Sequence, residues 1–139
     1  MQAAELLDRW YAAWNDHDAE AIASLVAPDV HYEAPTGSGA PLRGRRAVRI
    51  YARFVLLAVP DLRFEKLEEW VSPGGLVVSS YFTVSGTRRP RAGEDEAAPR
   101  RFEALGMDRS EIADGLLTRH QIFWNGQLHR ALAGSGGRS

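Results

Sequence analysis

Apolar residues recur at helical spacing in three stretches before Pro60 and at strand spacing in four stretches after it, which predicts helices first and a sheet afterwards. Between Ala3 and Asn15, Leu7, Tyr11 and Trp14 form one stripe, with Leu6, Trp10 and Ala13 beside it. Most of this helix surface is therefore apolar and needs a sheet to cover it. Asp18 is placed to cap a second, short helix whose Ile22, Leu25 and Val26 face inward before Pro28 stops it. Val30 to Ala34 alternates as a short strand, with Tyr32 and Ala34 on one face and His31 and Glu33 on the other. A Gly/Pro loop follows. Gly44 then opens a third helix in which Val48, Tyr51, Val55 and Ala58 recur inward, while Arg45, Arg46, Arg49 and Arg53 read as a solvated basic face.

Beyond Pro60 the period changes to two. Leu62 to Val71 reads as a strand ended by Ser72-Pro73-Gly74-Gly75, and Leu76 to Thr87 as a longer one. Arg88 to Arg101 is polar, holds two prolines and lacks periodicity, so it reads as a mobile surface loop rather than a lid. Phe102 to Ile112 and Leu116 to Trp124 form a closing hairpin around Ala113-Asp114-Gly115. Helices followed by consecutive strands predict an α+β domain in which a curved antiparallel sheet wraps three N-terminal helices and leaves a pocket.

Composition narrows the chemistry more than the fold. At 139 residues and 45% apolar, the chain holds material for one core. Seventeen basic and 18 acidic residues are interspersed, so no overall field recruits nucleic acid or an anionic membrane. The absence of cysteine excludes disulfides and thiolate chemistry. No signal segment or membrane-spanning apolar run stands in the sequence, which leads us to expect a cytoplasmic protein. His31, Glu33, Asp108 and His120 have no spacing that demands a metal, and none is expected. His31 and Glu33 read as facing solvent or a subunit partner, His17 as an exposed helix end, and His129 as tail.

The final hairpin holds the chemistry, subject to its register. A three-residue Ala113-Asp114-Gly115 loop pairs Ile112 with Leu116, Ser110 with Thr118, Asp108 with His120 and Gly106 with Ile122. A two-residue Asp-Gly turn instead sets Asp108 opposite Gln121. The first is preferred, because it gathers Ile112, Leu116, Ile122 and Trp124 on the face that carries the polar pair. An imidazole beside a carboxylate in an apolar pocket is a proton-transfer device: the carboxylate fixes the tautomer and raises the basicity of the ring. The bland alternative is a pair of buried groups that satisfy each other.

The run WYAAWNDHDAEAIASLVAPDVHYEAPTGSGAPLRGRRAVRIYARF and the later IADGLLTRHQIFW resemble the SnoaL-like polyketide cyclase and ketosteroid isomerase superfamily. The resemblance implies a cone-shaped α+β barrel like that of nuclear transport factor 2, spanning residues 1–133 and followed by a disordered Gly/Ser tail at 134–139. It also implies a homodimer. Tyr11 falls at that superfamily's oxyanion-hole tyrosine and Asp108, allowing one gap, at its protonated aspartic acid. The isomerase base matches Ala34, within Glu33-Ala34-Pro35, the cyclase aspartate matches Ile122, and a frequent further aspartate matches Asn125. Compared with the cyclases, Asp108 takes the place of a pocket histidine.

The resulting expectation is a cofactor-free small-molecule enzyme, an isomerase, cyclase, dehydratase or epoxide hydrolase of secondary metabolism. Asp108, His120 and Tyr11 are its catalytic groups, and Trp14, Tyr32, Ala34, Phe54, Ser110, Ile122 and Trp124 contact a hydrophobic substrate. A ligand-binding protein without turnover, or a dimerisation module, stands as the alternative, since Ala34 and Ile122 replace the usual acids.

Overall fold

The computed structural model describes residues 2–34, 40–96 and 100–124. The tail at 134–139, Asn125, His129 and Pro35 lie outside them. Helix α1 spans Ala3–Asn15 and buries Leu6, Leu7, Trp10, Tyr11, Ala13 and Trp14. Its exit is set by His17, which adopts a left-handed backbone (φ 58°) and donates from Nε2 to the Leu62 carbonyl at 2.8 Å. Asp18 caps α2 (Ala19–Ser24) by accepting from the Ala21 amide at 3.0 Å.

The second helix ends at Ser24, earlier than the expected stop at Pro28. Strand pairing takes the chain over: the Leu117 amide donates to Leu25 O at 2.9 Å, and β1 (Val26–Glu33) starts at once. Pro28 lies inside that strand, where the ladder to its neighbour is interrupted between Val26 and His31. A residue without an amide hydrogen is tolerated at such a break. A two-residue strand, β2 (Leu42–Arg43), pairs with His31 and Tyr32 and was not foreseen. Gly44 precedes α3 (Arg45–Ala58) at φ 96°, a backbone that a side chain would strain.

The basic face of α3 is engaged rather than merely solvated. Arg45 donates to Val26 O, and Arg49 and Arg53 both bind Glu20 of α2. Val48 and Ala52 form its buried contact line.

Strands β3 (Arg63–Val71), β4 (Val77–Thr87), β5 (Arg101–Ala113) and β6 (Leu116–Trp124) complete a sheet of order β2-β1-β6-β5-β4-β3. The fold is the expected cone-shaped α+β arrangement, with three helices on a curved sheet. The sheet is open, and it is mixed where an antiparallel one was expected, because β1 runs parallel to β6. β4 and β5 pair without interruption from Val77–Glu111 to Thr87–Arg101, and burial alternates along both. Their inner rows, Val78 to Gly86 and Phe102 to Ser110, form the floor beneath α1. Gly106 stands opposite Phe82, and a Cβ there would lie 2.8 Å from Phe82 Cζ, so the ring has its place because glycine yields it.

β5 and β6 leave the turn in the alternative two-residue register rather than the preferred one, and beyond a bulge they follow neither. Asp114 and Gly115 form a two-residue turn, both left-handed (φ 53° and 74°), which pairs Ala113 with Leu116 and Ile112 with Leu117. Thr118 then bulges, and beyond it Ser110 pairs with His120, Asp108 with Ile122 and Gly106 with Trp124. The result is displaced by two residues from the three-residue-loop register. Because strand faces repeat every two residues, Asp108, Ser110, His120 and Ile122 still share the inner face.

Candidate active site

The inner face of the sheet, α1 and α3 enclose a cavity of about 510 Å³, within the range of small-molecule sites. Its wall is mainly aromatic and aliphatic: Trp10, Tyr11, Trp14, Tyr32, Tyr51, Phe64, Phe82, Phe102, Ile122 and Trp124 all contribute. Asp108 and His120, each 1% exposed, and Arg88, 7% exposed, are buried ionisable groups of its wall.

Asp108 is held from three sides. Its Oδ1 accepts the Ser80 amide at 2.9 Å, its Oδ2 accepts the Tyr11 hydroxyl, and its backbone carbonyl accepts Ser79 Oγ at 2.7 Å. Burial pushes the Asp108 carboxyl up to about 6, while the bonds from Tyr11 and Ser80 pull against that rise. The Tyr11 phenol is driven far above its ordinary value, first by burial and then by the adjacent carboxylate. It stays protonated at any working pH.

His120 behaves differently from expectation. Its ring lies against Trp10 (centroids 4.9 Å apart) and Tyr32 (5.3 Å), and burial lowers its pKa to about 3. Nδ1 is 2.8 Å from Ser110 Oγ, whereas Nε2 is 4.0 Å from Asp108 Oδ2, beyond hydrogen-bond reach. The expected carboxylate–imidazole hydrogen bond is absent, because Asp108 faces Ile122 and meets His120 only diagonally. The imidazole is neutral at neutral pH, so the 4.0 Å contact is no ion pair. The nearby carboxylate favours a hydrogen on Nε2, with Ser110 donating to Nδ1. Of the two, Asp108 is thus the group that titrates near neutrality, and His120 is neutral there.

The other expected residues are sorted by the same geometry. Trp14, Tyr32, Ala34, Ile122 and Trp124 line the cavity, and Phe54, 69% exposed, sits at its rim. Ser110 does not line it. That residue is fully buried behind His120, where it fixes the ring instead of contacting a ligand. Glu33 turns away from the cavity and forms an ion pair with Arg119 at 3.1 Å. Among the described residues no group of three His, Asp or Glu side chains is gathered as metal ligands. No described helix is long and apolar enough to cross a membrane.

Two contributors were missed. Ser80 acts through its backbone amide, which side-chain reading cannot weigh. Arg88, Arg89, Pro90 and Arg91 fold against the cavity, so this stretch is part of the site and not a remote surface loop. It is strapped down by the Arg89 amide on Ala58 O (2.8 Å) and by the Arg88–Glu94 pair, which holds the Glu94 carboxyl down at about 2.

Comparison with known proteins agrees with this fold. Residues 7–120 match the SnoaL-like domain. A proposed polyketide cyclase from Xanthomonas campestris pv. campestris superposes with TM-score 0.80 at 21% identity, over 91% of this chain and 92% of that one. IdmH, a proposed polyketide cyclase from Streptomyces antibioticus, gives 0.78 at 22% over 96% and 99%. An epoxide hydrolase from M. tuberculosis gives 0.71 at 16% over 88% and 82%. At these identities the likeness is one of fold. No curated protein matches by sequence.

Proposed function

The chain belongs to the SnoaL-like domain family, and from that membership we propose a cofactor-independent enzyme that moves protons on a hydrophobic, polyketide-like metabolite. The observation that carries this reading is Asp108, a carboxyl with pKa about 6 and 1% exposure in the wall of an apolar cavity. At pH 7 it is mostly ionised, and a carbon acid held against Oδ2 can lose its proton to it. The protonated carboxyl then returns that proton elsewhere on the ligand, and where it returns decides between isomerisation, cyclisation and dehydration. His120 Nε2–H is placed beside Oδ2 to donate to the developing enolate oxygen, and Tyr11 holds the carboxylate in orientation until substrate displaces or shares its bond.

The test is α-proton exchange. Polycyclic enolisable ketones incubated with the protein in D2O should lose their α-proton signals, and Asp108→Asn should slow that exchange by about a hundredfold to ten-thousandfold. Exchange that is unchanged in the variant removes Asp108 from the mechanism. A second reading, binding without turnover, draws on the fact that both Asp108 oxygens already have protein partners; tight binding with no exchange by the wild type would favour it.

We further propose that two copies pair through the outer face of the sheet. Tyr81, Met107 and Phe123 lie in one cross-strand row there with Leu105 on the same face, and Met107, Leu105 and Phe123 are 41%, 41% and 37% exposed.

A further inference from the structure

We propose that the ligand of this cavity is an elongated apolar acid, with its ring-bearing body among the aromatic side chains and its carboxylate at the Arg88 end. The inference rests on the reading of the cavity as a small-molecule site and adds the class of molecule it takes.

Arg88 follows β4 directly, lines the cavity and is 7% exposed. Its two terminal nitrogens grip the Glu94 carboxylate, each at 3.0 Å, and Nη1 also donates to Arg89 O at 3.0 Å. Its Nε is buried and has no hydrogen-bond partner among the described residues. A buried N–H on a cation loses its water without compensation unless something accepts from it. Nothing in the described protein does, and the atom is closed to the cavity too, so what an anion in the cavity offsets is the buried positive charge of Arg88 rather than the bare N–H.

The local charge says which acceptor fits. Glu94 also lies 3.3 Å from Arg100. Arg89, also in the cavity wall, bonds only the neutral Leu57 carbonyl at 2.8 Å, and no carboxylate of the described residues lies within ion-pair distance of it. Arg88, Arg89 and Arg91 line this end with no acidic side chain of the described residues among them, whereas the other end holds the Asp108 carboxylate. An anionic group would be repelled from Asp108 and drawn to Arg88. A carboxylate suits the Arg88 and Arg89 cations side by side in the cavity wall; a phosphate would leave more of its oxygens without donors.

Length follows from the strand. Ser80, which fixes Asp108, and Arg88 are eight residues apart, at most roughly 26 Å before the reach of both side chains is subtracted. The wall between them includes Phe82, Val84 and Phe102. A fused-ring body bridges that gap better than a single ring.

Calorimetric titration with 2-naphthaleneacetic acid, 2-naphthaleneacetamide and 2-naphthylmethyl phosphate tests this. The acid should bind the wild type about tenfold to a hundredfold more tightly than the amide. Arg88→Met should bring that ratio towards one. Because Arg88→Met also breaks the Glu94 pair, Arg89→Met serves as the second variant: it leaves that pair intact and should reduce the same ratio in part. Equal binding of acid and amide by the wild type overturns the anion inference and leaves the cavity reading standing. A phosphate that outbinds the acid overturns the carboxylate class. If none of the three binds, the cavity reading falls, and this inference with it.

Discussion

The Tyr11 hydroxyl of α1 donates to Oδ2 of Asp108 on β5, 97 residues away, and both side chains are buried. The bond couples the helical layer to the sheet and sets the carboxyl's affinity for protons. Burial raises the Asp108 pKa, and this bond is the largest of the effects opposing the rise.

Tyr11→Phe should therefore push the Asp108 pKa above about 6. A base must be ionised to act, so the acidic limb of the pH–rate profile should move to higher pH in the variant. A carboxyl-carbon NMR titration of Asp108 would report the same upward shift without a substrate.

Replacing Asp108 by Asn should trade activity for stability. The carboxyl's pKa rises from 3.8 to about 6 on folding, so the folded state holds the proton more tightly and the wild type loses stability as pH rises from about 4 to about 6. Above that window the penalty is complete, about 3 kcal/mol for a shift of this size. Asp108→Asn should unfold later than the wild type at pH 7, and the gap should shrink towards pH 4. Urea unfolding at the two pH values measures it.

Ser110→Ala should release the His120 ring. With the Nδ1 partner gone, the tautomer is no longer fixed, and two-bond nitrogen–proton NMR correlations should change from one Nε2–H form to a mixture. The wild-type ring should remain neutral down to pH 5, since burial depresses its pKa to about 3. Its unfolded counterpart gains a proton near 6.5, so His120 costs stability as pH falls through that value, opposite in sign to Asp108.

Met107→Lys should disrupt self-association. Met107 is registered between Tyr81 and Phe123 on the outer face, and a charge there has to be desolvated in a face-to-face pair. Sedimentation velocity should show a dimer for the wild type and a monomer for the variant. A variant that still sediments as the dimer would place the interface elsewhere.

Much of the site was legible because it depends on parity rather than on register. Asp108, Ser110, His120 and Ile122 are separated by even numbers of residues within each strand, so once the two strands align in phase they share a face. A slip of two therefore leaves the cluster on the same side. What the slip changed was contact. The two-residue turn and the bulge at Thr118, one residue each, moved His120 from Asp108 to Ser110, and with it the roles that the two groups can take. No pattern of residue types announces a bulge, since it arises where the twist of two long strands has to be reconciled with a tight turn.

By itself the sequence determined the three amphipathic helices, the strands after Pro60, the caps at Asp18 and Gly44, and the side of the sheet on which its polar groups lie. These follow from local backbone preference and from the period with which apolar residues recur. The tertiary structure alone decided that β1 lies parallel to β6 and that Tyr11 reaches Asp108. It also decided that Arg88 turns back on the cavity, and that Asp108 rather than His120 titrates near neutrality. Each of these depends on which distant groups meet and on how much water remains around them, and burial acts on a proton equilibrium only after the chain has closed over it.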